Sequence, residues 1–332
     1  MKILLRTISI ILIIITISVE KRLTKQSKNF AELKKVIGAH AGSIVSLAVL
    51  PNGFLASGSF DRSIKIWNPN DGSLIRTLTG HTDSVKSLAV LPNGHLASGS
   101  DYWDKSIKIW NPIDGSLIRT IAGHTDRVTS LAVLPNGYLA SGSRDNLIKI
   151  WNPEDGSLIR TLEGHTDYVS SLAVLSNGYL ASGSRDNLIK IWNPTEGSLI
   201  RTLTGTYNWI TSLAVLPNGY LASGSEDRSI KIWNPNEEGS SILTFTGHAD
   251  YVLSLAVLPN GLLASGSRDD SINIWKQNDG SLMRTLVGHT DWITSLAILQ
   301  NGHLASGSRD NSIKIWNPND GSLIRSLIGH ES

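Results

Sequence analysis

The chain has 332 residues, 30 Lys/Arg against 28 Asp/Glu, and no cysteine. Disulfides and thiolate metal sites are therefore excluded, and the length is enough for a large core. Residues 1–35 hold eight basic side chains and two acidic ones, so the remainder is mildly acidic and offers no electrostatic grip on nucleic acid.

The chain opens with Lys2 and Arg6 ahead of an uncharged apolar run, Thr7 to Val19. A helix over that run rises only about 20 Å, short of a bilayer's ~30 Å core. Residues 1–19 thus read as a signal-peptide-like leader, with a signal anchor, a buried strand or a gene-prediction artefact as the alternatives. Any membrane contact is expected through this leader alone. Residues 20–31 are polar and basic and read as a linker. No Asn-x-Ser/Thr sequon has a permitted middle residue, since Asn193-Pro194-Thr195 is blocked by its proline. That points away from secretion, against the leader.

From about residue 40 to the end the sequence repeats itself seven times, and residues 32–332 read as one domain. Marker tryptophans stand at Trp67, Trp110, Trp151, Trp192, Trp233, Trp275 and Trp316, spaced 41 to 43 residues apart. A period of this length signals stacked supersecondary units. Within one unit, VKSLAVL (85–91) is an apolar run, and Pro92-Asn93-Gly94 is a hairpin turn. HLASGS is small and β-compatible; SIKIW (106–110) alternates; Asn111-Pro112-Ile113-Asp114-Gly115 turns again; and SLIRTI (116–121) is a fourth strand. A lone four-stranded meander cannot bury both faces, so neighbours must stack on it. The predicted fold is all-β, a seven-bladed propeller with four antiparallel strands per blade.

Two segments compete for the outer strand of blade seven. Residues 322–328, SLIRSLI, match the internal outer strands; residues 33–37, LKKVI, match weakly but precede His40 as an outer strand should. The local C-terminal hairpin closes the shorter loop and is favoured on entropy. Residues 329–332 read as the start of a further repeat, as in a longer array.

Every unit also carries an Asp six residues before the Trp, and most begin with a Gly-His pair. The Gly-His pairs are Gly80-His81, Gly123-His124, Gly164-His165, Gly247-His248, Gly288-His289 and Gly329-His330; the first unit has Ala39-His40. With these carriers the chain resembles the WD-repeat β-propeller family over about 290 residues. It departs from the family's Trp-Asp signature, because Asn follows Trp in six units and Lys276 in the sixth. The resemblance implies that His, Ser, Asp and Trp form a buried hydrogen-bond network inside each blade. Carried over position by position, the sets are His40, Ser57, Asp61, Trp67; His81, Ser98, Asp104, Trp110; His124, Ser141, Asp145, Trp151; and His165, Ser182, Asp186, Trp192. Blade five has Ser223, Asp227 and Trp233 without a histidine, because Thr206 takes its place. His248, Ser265, Asp269, Trp275 and His289, Ser306, Asp310, Trp316 complete the series.

The recurring Ser, His and Asp invite a hydrolase reading, but six copies of one triad and no Gly-x-Ser-x-Gly elbow argue for internal structure. Asn-Asp-Gly stretches lack calcium-loop spacing and the final Glu. No catalytic residue, cofactor or metal site is expected.

The units are near-copies, so positions that differ are not needed for the fold. Three residues after the His position come Ser43, Ser84, Arg127, Tyr168, Trp209, Tyr251 and Trp292. Just before the turn Asp come Phe60, Trp103, Arg144, Arg185, Glu226, Arg268 and Arg309. Blade two has two extra residues there, in Asp101-Tyr102-Trp103. Val45, Lys86, Thr129, Ser170, Thr211, Leu253 and Thr294 are expected near the channel mouth. In the family both loops open on one face, the top, and Tyr, Trp and Arg dominate binding hot spots. Phe60, Trp103, Arg127, Arg144, Tyr168, Arg185, Trp209, Tyr251, Arg268, Trp292 and Arg309 are thus the candidate partner-binding residues. The competing reading packs the same rings over neighbouring blade edges.

The expected function is a non-catalytic, monomeric scaffold that binds a protein or peptide through this face, with no nucleic-acid partner. The alternative is a propeller that binds a small ligand or glycan in a secretory compartment. The leader points to the secretory pathway; the family points to cytoplasm or nucleus.

Overall fold

A computed structural model describes residues 39–206, 208–237 and 239–327. The leader, the linker and residues 33–37 and 329–332 lie outside the described residues. The described residues contain 28 strands in seven four-stranded antiparallel sheets, each in sequence order from inner to outer strand. The blades span 44–78, 85–121, 128–162, 169–203, 210–245, 252–287 and 293–327. Within blade one the strands are Ile44–Val49, Leu55–Ser59, Ile64–Trp67 and Leu74–Leu78. The Pro-Asn-Gly turn between the first two works as its chemistry demands. Gly53 takes φ 84°, and the Asn52 side-chain oxygen accepts from Phe54 N at 3.1 Å.

Apolar residues from adjacent blades meet in shared layers. Ile64, Ile66 and Leu50 of blade one pack with Leu88, Leu96 and Trp110 of blade two. Ile313, Ile315 and Leu327 of blade seven likewise pack with Ile44, Leu55 and Trp67 of blade one. No blade has a core of its own, which is why the sheets must tile. The small LASGS strand permits close approach: a Cβ on Gly58 would lie 2.7 Å from Val85 Cγ1 of the next blade.

The ring is closed by packing and hydrogen bonds. The inner strand of blade one lies against those of blades two and seven, and Leu47 N donates to Ser295 Oγ at 3.0 Å. The same serine-to-next-blade bond recurs at Leu88 N–Ser46 and Leu172 N–Ser130, at 3.0 Å each. Leu323–Leu327 forms the outer strand of blade seven, the outcome that the shorter loop predicts.

A second ring of contacts runs around the rim of the opposite face. The outer-strand arginine of each blade but blade five donates to a carbonyl in the third-to-fourth-strand turn of the next. Arg76 Nη1 reaches Asp114 O at 2.9 Å, and Arg325 Nη1 reaches Asp71 O of blade one at 2.8 Å. In blade five Leu243 occupies this register position, paired with Ile232 as Arg76 pairs with Ile66. Phe245 fills the space instead: a Cβ on Gly280 would sit 2.5 Å from its ring.

Candidate functional site

The His, Ser, Asp and Trp of six blades come together with one geometry. Imidazole Nδ1 lies 2.7–2.8 Å from the aspartate Oδ2, and Nε2 lies 2.7 Å from the serine Oγ. The tryptophan Nε1 donates to the same Oγ at 2.7–2.8 Å. A neutral imidazole satisfies every atom: indole N–H to hydroxyl oxygen, hydroxyl to Nε2, Nδ1–H to carboxylate. The carboxylate is saturated too. Asp61 also accepts from Ala41 N at 3.0 Å and from Ser63 N at 2.9 Å.

Burial raises the pKa of these aspartates, but the hydrogen bonds from the histidine, the neighbouring hydroxyls and the backbone amides together outweigh it, so Asp61, Asp104, Asp186, Asp269 and Asp310 sit below the usual range and Asp145 falls to about 2. Burial holds His40 below its ordinary value, against the opposing pull of Asp61. The serine oxygens are fully enclosed and each is capped by an indole N–H. No path leads a substrate carbonyl to them, so the arrangement has the atoms of a triad without access to one.

In blade five the Thr206 hydroxyl turns to the Asn187 carbonyl of blade four. Trp233 Nε1 still donates to Ser223 at 2.8 Å, while Lys231 Nζ lies 3.9 Å from Asp227 Oδ2. The residue after each turn aspartate has positive φ, from 55° at Lys105 to 71° at Arg62, and three of the seven are asparagine.

The two variable positions of every blade but the second are joined at their backbones on one face; in blade two the inserted turn puts Asp101 N on Ser84 O at 3.0 Å, and Trp103 N donates to Asp83 Oδ2 at 2.9 Å. Phe60 N donates to Ser43 O at 2.9 Å, Arg144 N to Arg127 O at 3.0 Å, Arg185 N to Tyr168 O at 2.9 Å, and Arg309 N to Trp292 O at 2.9 Å. Their side chains interlock between blades. Arg144 and Arg185 stand 4.2 and 5.0 Å from the Tyr168 centroid, and Arg185 is 3.4 Å from that of Trp209. Arg268 lies 5.1 Å from Tyr251 and 4.0 Å from Trp292, which also meets Arg309 at 4.3 Å. This cation–π ladder breaks at Glu226, where blade five has no arginine. Burial raises the pKa of Glu226, and Arg185 and Arg268 oppose that shift. The four rings are therefore half-buried under guanidinium groups, not open anchors.

Phe60 is 44% exposed, with Lys86 Nζ 4.6 Å from its ring. Trp103 is 81% exposed on the inserted turn, edge-on to Tyr102 at 5.0 Å. Arg127 Nε pairs with Asp101 at 2.9 Å.

The residues expected near the channel mouth are all β-bulges. The register slips between Ile44 and Ser46, between Val85 and Ser87, and at the same place in every other blade. The unpaired residue, such as Val45 or Lys86, is thereby re-aimed. Together with Phe60, Trp209 and Trp292, all of these residues but Thr129 line a cavity of about 550 Å3. The bulge and the ladder were not legible in the sequence. A weak signal existed for the ladder, in aromatics and arginines alternating at one repeat offset.

The WD domain, G-beta repeat (WD40) family matches seven consecutive segments: residues 31–68, 72–111, 115–152, 156–193, 197–234, 239–276 and 280–317. From the second onward, each segment takes in the outer strand of one blade and the first three strands of the next, an offset that staples neighbours together. No curated protein matches the chain. WD40 propellers are typical protein-interaction scaffolds and are generally non-catalytic. With seven matches over most of its length and seven blades to correspond, the chain belongs to the WD40 repeat family.

Proposed function

We propose that the chain is a non-catalytic platform that binds a protein or peptide through the face carrying the bulges and the cation–π ladder. One observation carries this reading. The blades differ from one another mainly on this face, and there they build a cavity of about 550 Å3 whose wall combines Trp209, Trp292 and Phe60 with Lys86, Arg185 and Arg309. Half-buried rings fixed by guanidinium groups are rigid, and rigid aromatic and arginine surfaces lose little entropy on docking. The glycan alternative fits less well, because guanidinium groups already stack on Trp209 and Trp292, where a sugar ring would lie.

Affinity capture from the protein's own cells tests the reading, with wild type beside a Trp209→Ala/Trp292→Ala variant of unchanged circular dichroism. Loss of the proteins retained by the wild type is expected. Retention of the same set at equal strength would move the interface to another face.

A further inference from the structure

A second cavity, of about 250 Å3, opens beside the channel mouth over blades two to four. Its wall carries four cationic side chains, Lys86, Arg127, Arg144 and Arg185, together with Tyr168 and Ser170, and no carboxylate. The charges converge from three blades: Lys86 is the bulge residue of blade two, Arg127 and Arg144 are the joined pair of blade three, and Arg185 belongs to blade four.

Two acidic side chains reach the group. Asp101 lies 2.9 Å from Arg127 Nε and 3.8 Å from Lys86 Nζ, and Asp126 lies 3.8 Å from Arg127 Nε. Arg144 and Arg185 make no ion pair among the described residues; they rest on the rings of Tyr168 and Trp209. A ring contact occupies the face of a guanidinium and leaves its N–H edge free to donate. The buried Nε of Arg144 has no hydrogen-bond partner among the described residues. Burial lowers the pKa of Lys86, and the nearby Arg127 acts in the same direction against the pull of Asp101.

Four cations against two carboxylates leave two positive charges unpaired, which suits an anion of more than one charge. A phosphoryl group carries roughly −1.5 to −2 at neutral pH and three strong acceptor oxygens, matching several guanidinium donors at once. The cavity is smaller than the ~300 Å3 lower limit of drug-sized sites, which suits a compact oxyanion. Lys86, Ser170 and Arg185 line this cavity and the channel mouth alike, so the two spaces adjoin.

We infer that the cavity over blades two to four is a phosphoryl-binding site, receiving the phosphorylated serine or threonine of a peptide whose chain crosses the channel mouth. The source of the phosphoryl group rests on the peptide-binding reading above; the chemistry of the site rests on its own charges.

Fluorescence anisotropy on the purified full chain tests this with a degenerate phosphoserine peptide library, its unphosphorylated twin, and inorganic phosphate as competitor at constant ionic strength. The phosphorylated library should bind about tenfold or more tightly than its twin. The preference should vanish in Arg144→Gln/Arg185→Gln and survive in Lys276→Gln, an exposed charge change in the third-to-fourth-strand turn of blade six. Should the double variant fail to fold, Arg144→Gln alone serves. If inorganic phosphate binds in an Arg144-dependent way and the phosphorylated library binds no tighter than phosphate, the phosphoryl site stands and the peptide reading falls. No preference for the phosphorylated library together with no phosphate binding, or binding unchanged by the arginine variants, overturns the inference.

Discussion

Blades four and five share the segments LASGS and IKIWNP, yet one is cross-linked and the other is not. In blade four, His165 joins Asp186 to Ser182, each at 2.7 Å, and the outer-strand Arg201 Nη1 donates to Pro235 O in the third-to-fourth-strand turn of blade five at 2.9 Å. Blade five has threonine for the histidine and Leu243 for the outer arginine, and its outer strand shrinks to Leu243–Phe245. It also places Glu226 where four other blades put a rim arginine. Blade five still forms its four strands, and Trp233 keeps its bond to Ser223. The apolar layers shared with its neighbours therefore suffice to make a blade, and the polar network adds local stability on top of them.

Removing the carboxylate separates the two blades most sharply. Asp186→Ala strands an imidazole N–H and the backbone amides of Thr166 and Leu188, and should cost about 3 kcal/mol in urea unfolding. Asp227→Ala in blade five removes the partner of Ser229 but no imidazole, and should cost about 1 kcal/mol. Equal losses would mean that the histidine adds nothing.

The converse change is Thr206→His, which supplies the missing bridge between Asp227 and Ser223. A gain of about 1–2 kcal/mol, read as a higher melting temperature, is expected. An unchanged or lower melting point would count against the network.

Acid should narrow the contrast. The paired aspartates titrate below their unfolded value, so the stability they contribute is complete above about pH 4 and is lost as pH falls toward 2. His40, held neutral by burial, adds a loss that begins as pH drops below about 6.5. The advantage of blades with a histidine over blade five should thus shrink steadily as pH falls from about 4 to about 2. A gap that does not narrow over that range would separate blade five's softness from its missing imidazole.

The smallest effect belongs to the outer latch. Leu243→Arg should bind a turn carbonyl of blade six and add about 0.5–1 kcal/mol, provided Phe245 keeps its place against Gly280. No change in the urea midpoint would show that Phe245 already does the arginine's work.

The strands were legible almost to the residue. VKSLAVL became Val85–Val90, SIKIW became Ile107–Trp110, and SLIRTI became Leu117–Ile121, because alternation, β-branched residues and Pro-Asn-Gly turns all point the same way. The bulge at Val45 and its counterparts left no such mark, since a bulge is a relation between two strands and not a pattern in one. The arginine latch was hidden for a similar reason: SLIRTL states that an arginine recurs, but its partner lies in the next blade. On the rim, the candidate residues were picked out by their variation, whereas their stacking depends on the angle between neighbouring blades. For Trp209 and Trp292 the sequence left open rings and covered rings as alternatives, and Arg185 and Arg268 stacked against them decide for covered rings.

Native-state hydrogen exchange, resolved by blade, tests the central claim most directly: the buried histidines, serines and aspartates stabilise the blades that hold them. Amides of Ile210–Val215 and Leu221–Ser225 in blade five should exchange faster than those of Val169–Val174 and Leu180–Ser184 in blade four, and Thr206→His should close the difference. Equal protection in the two blades, before and after that substitution, would contradict the account.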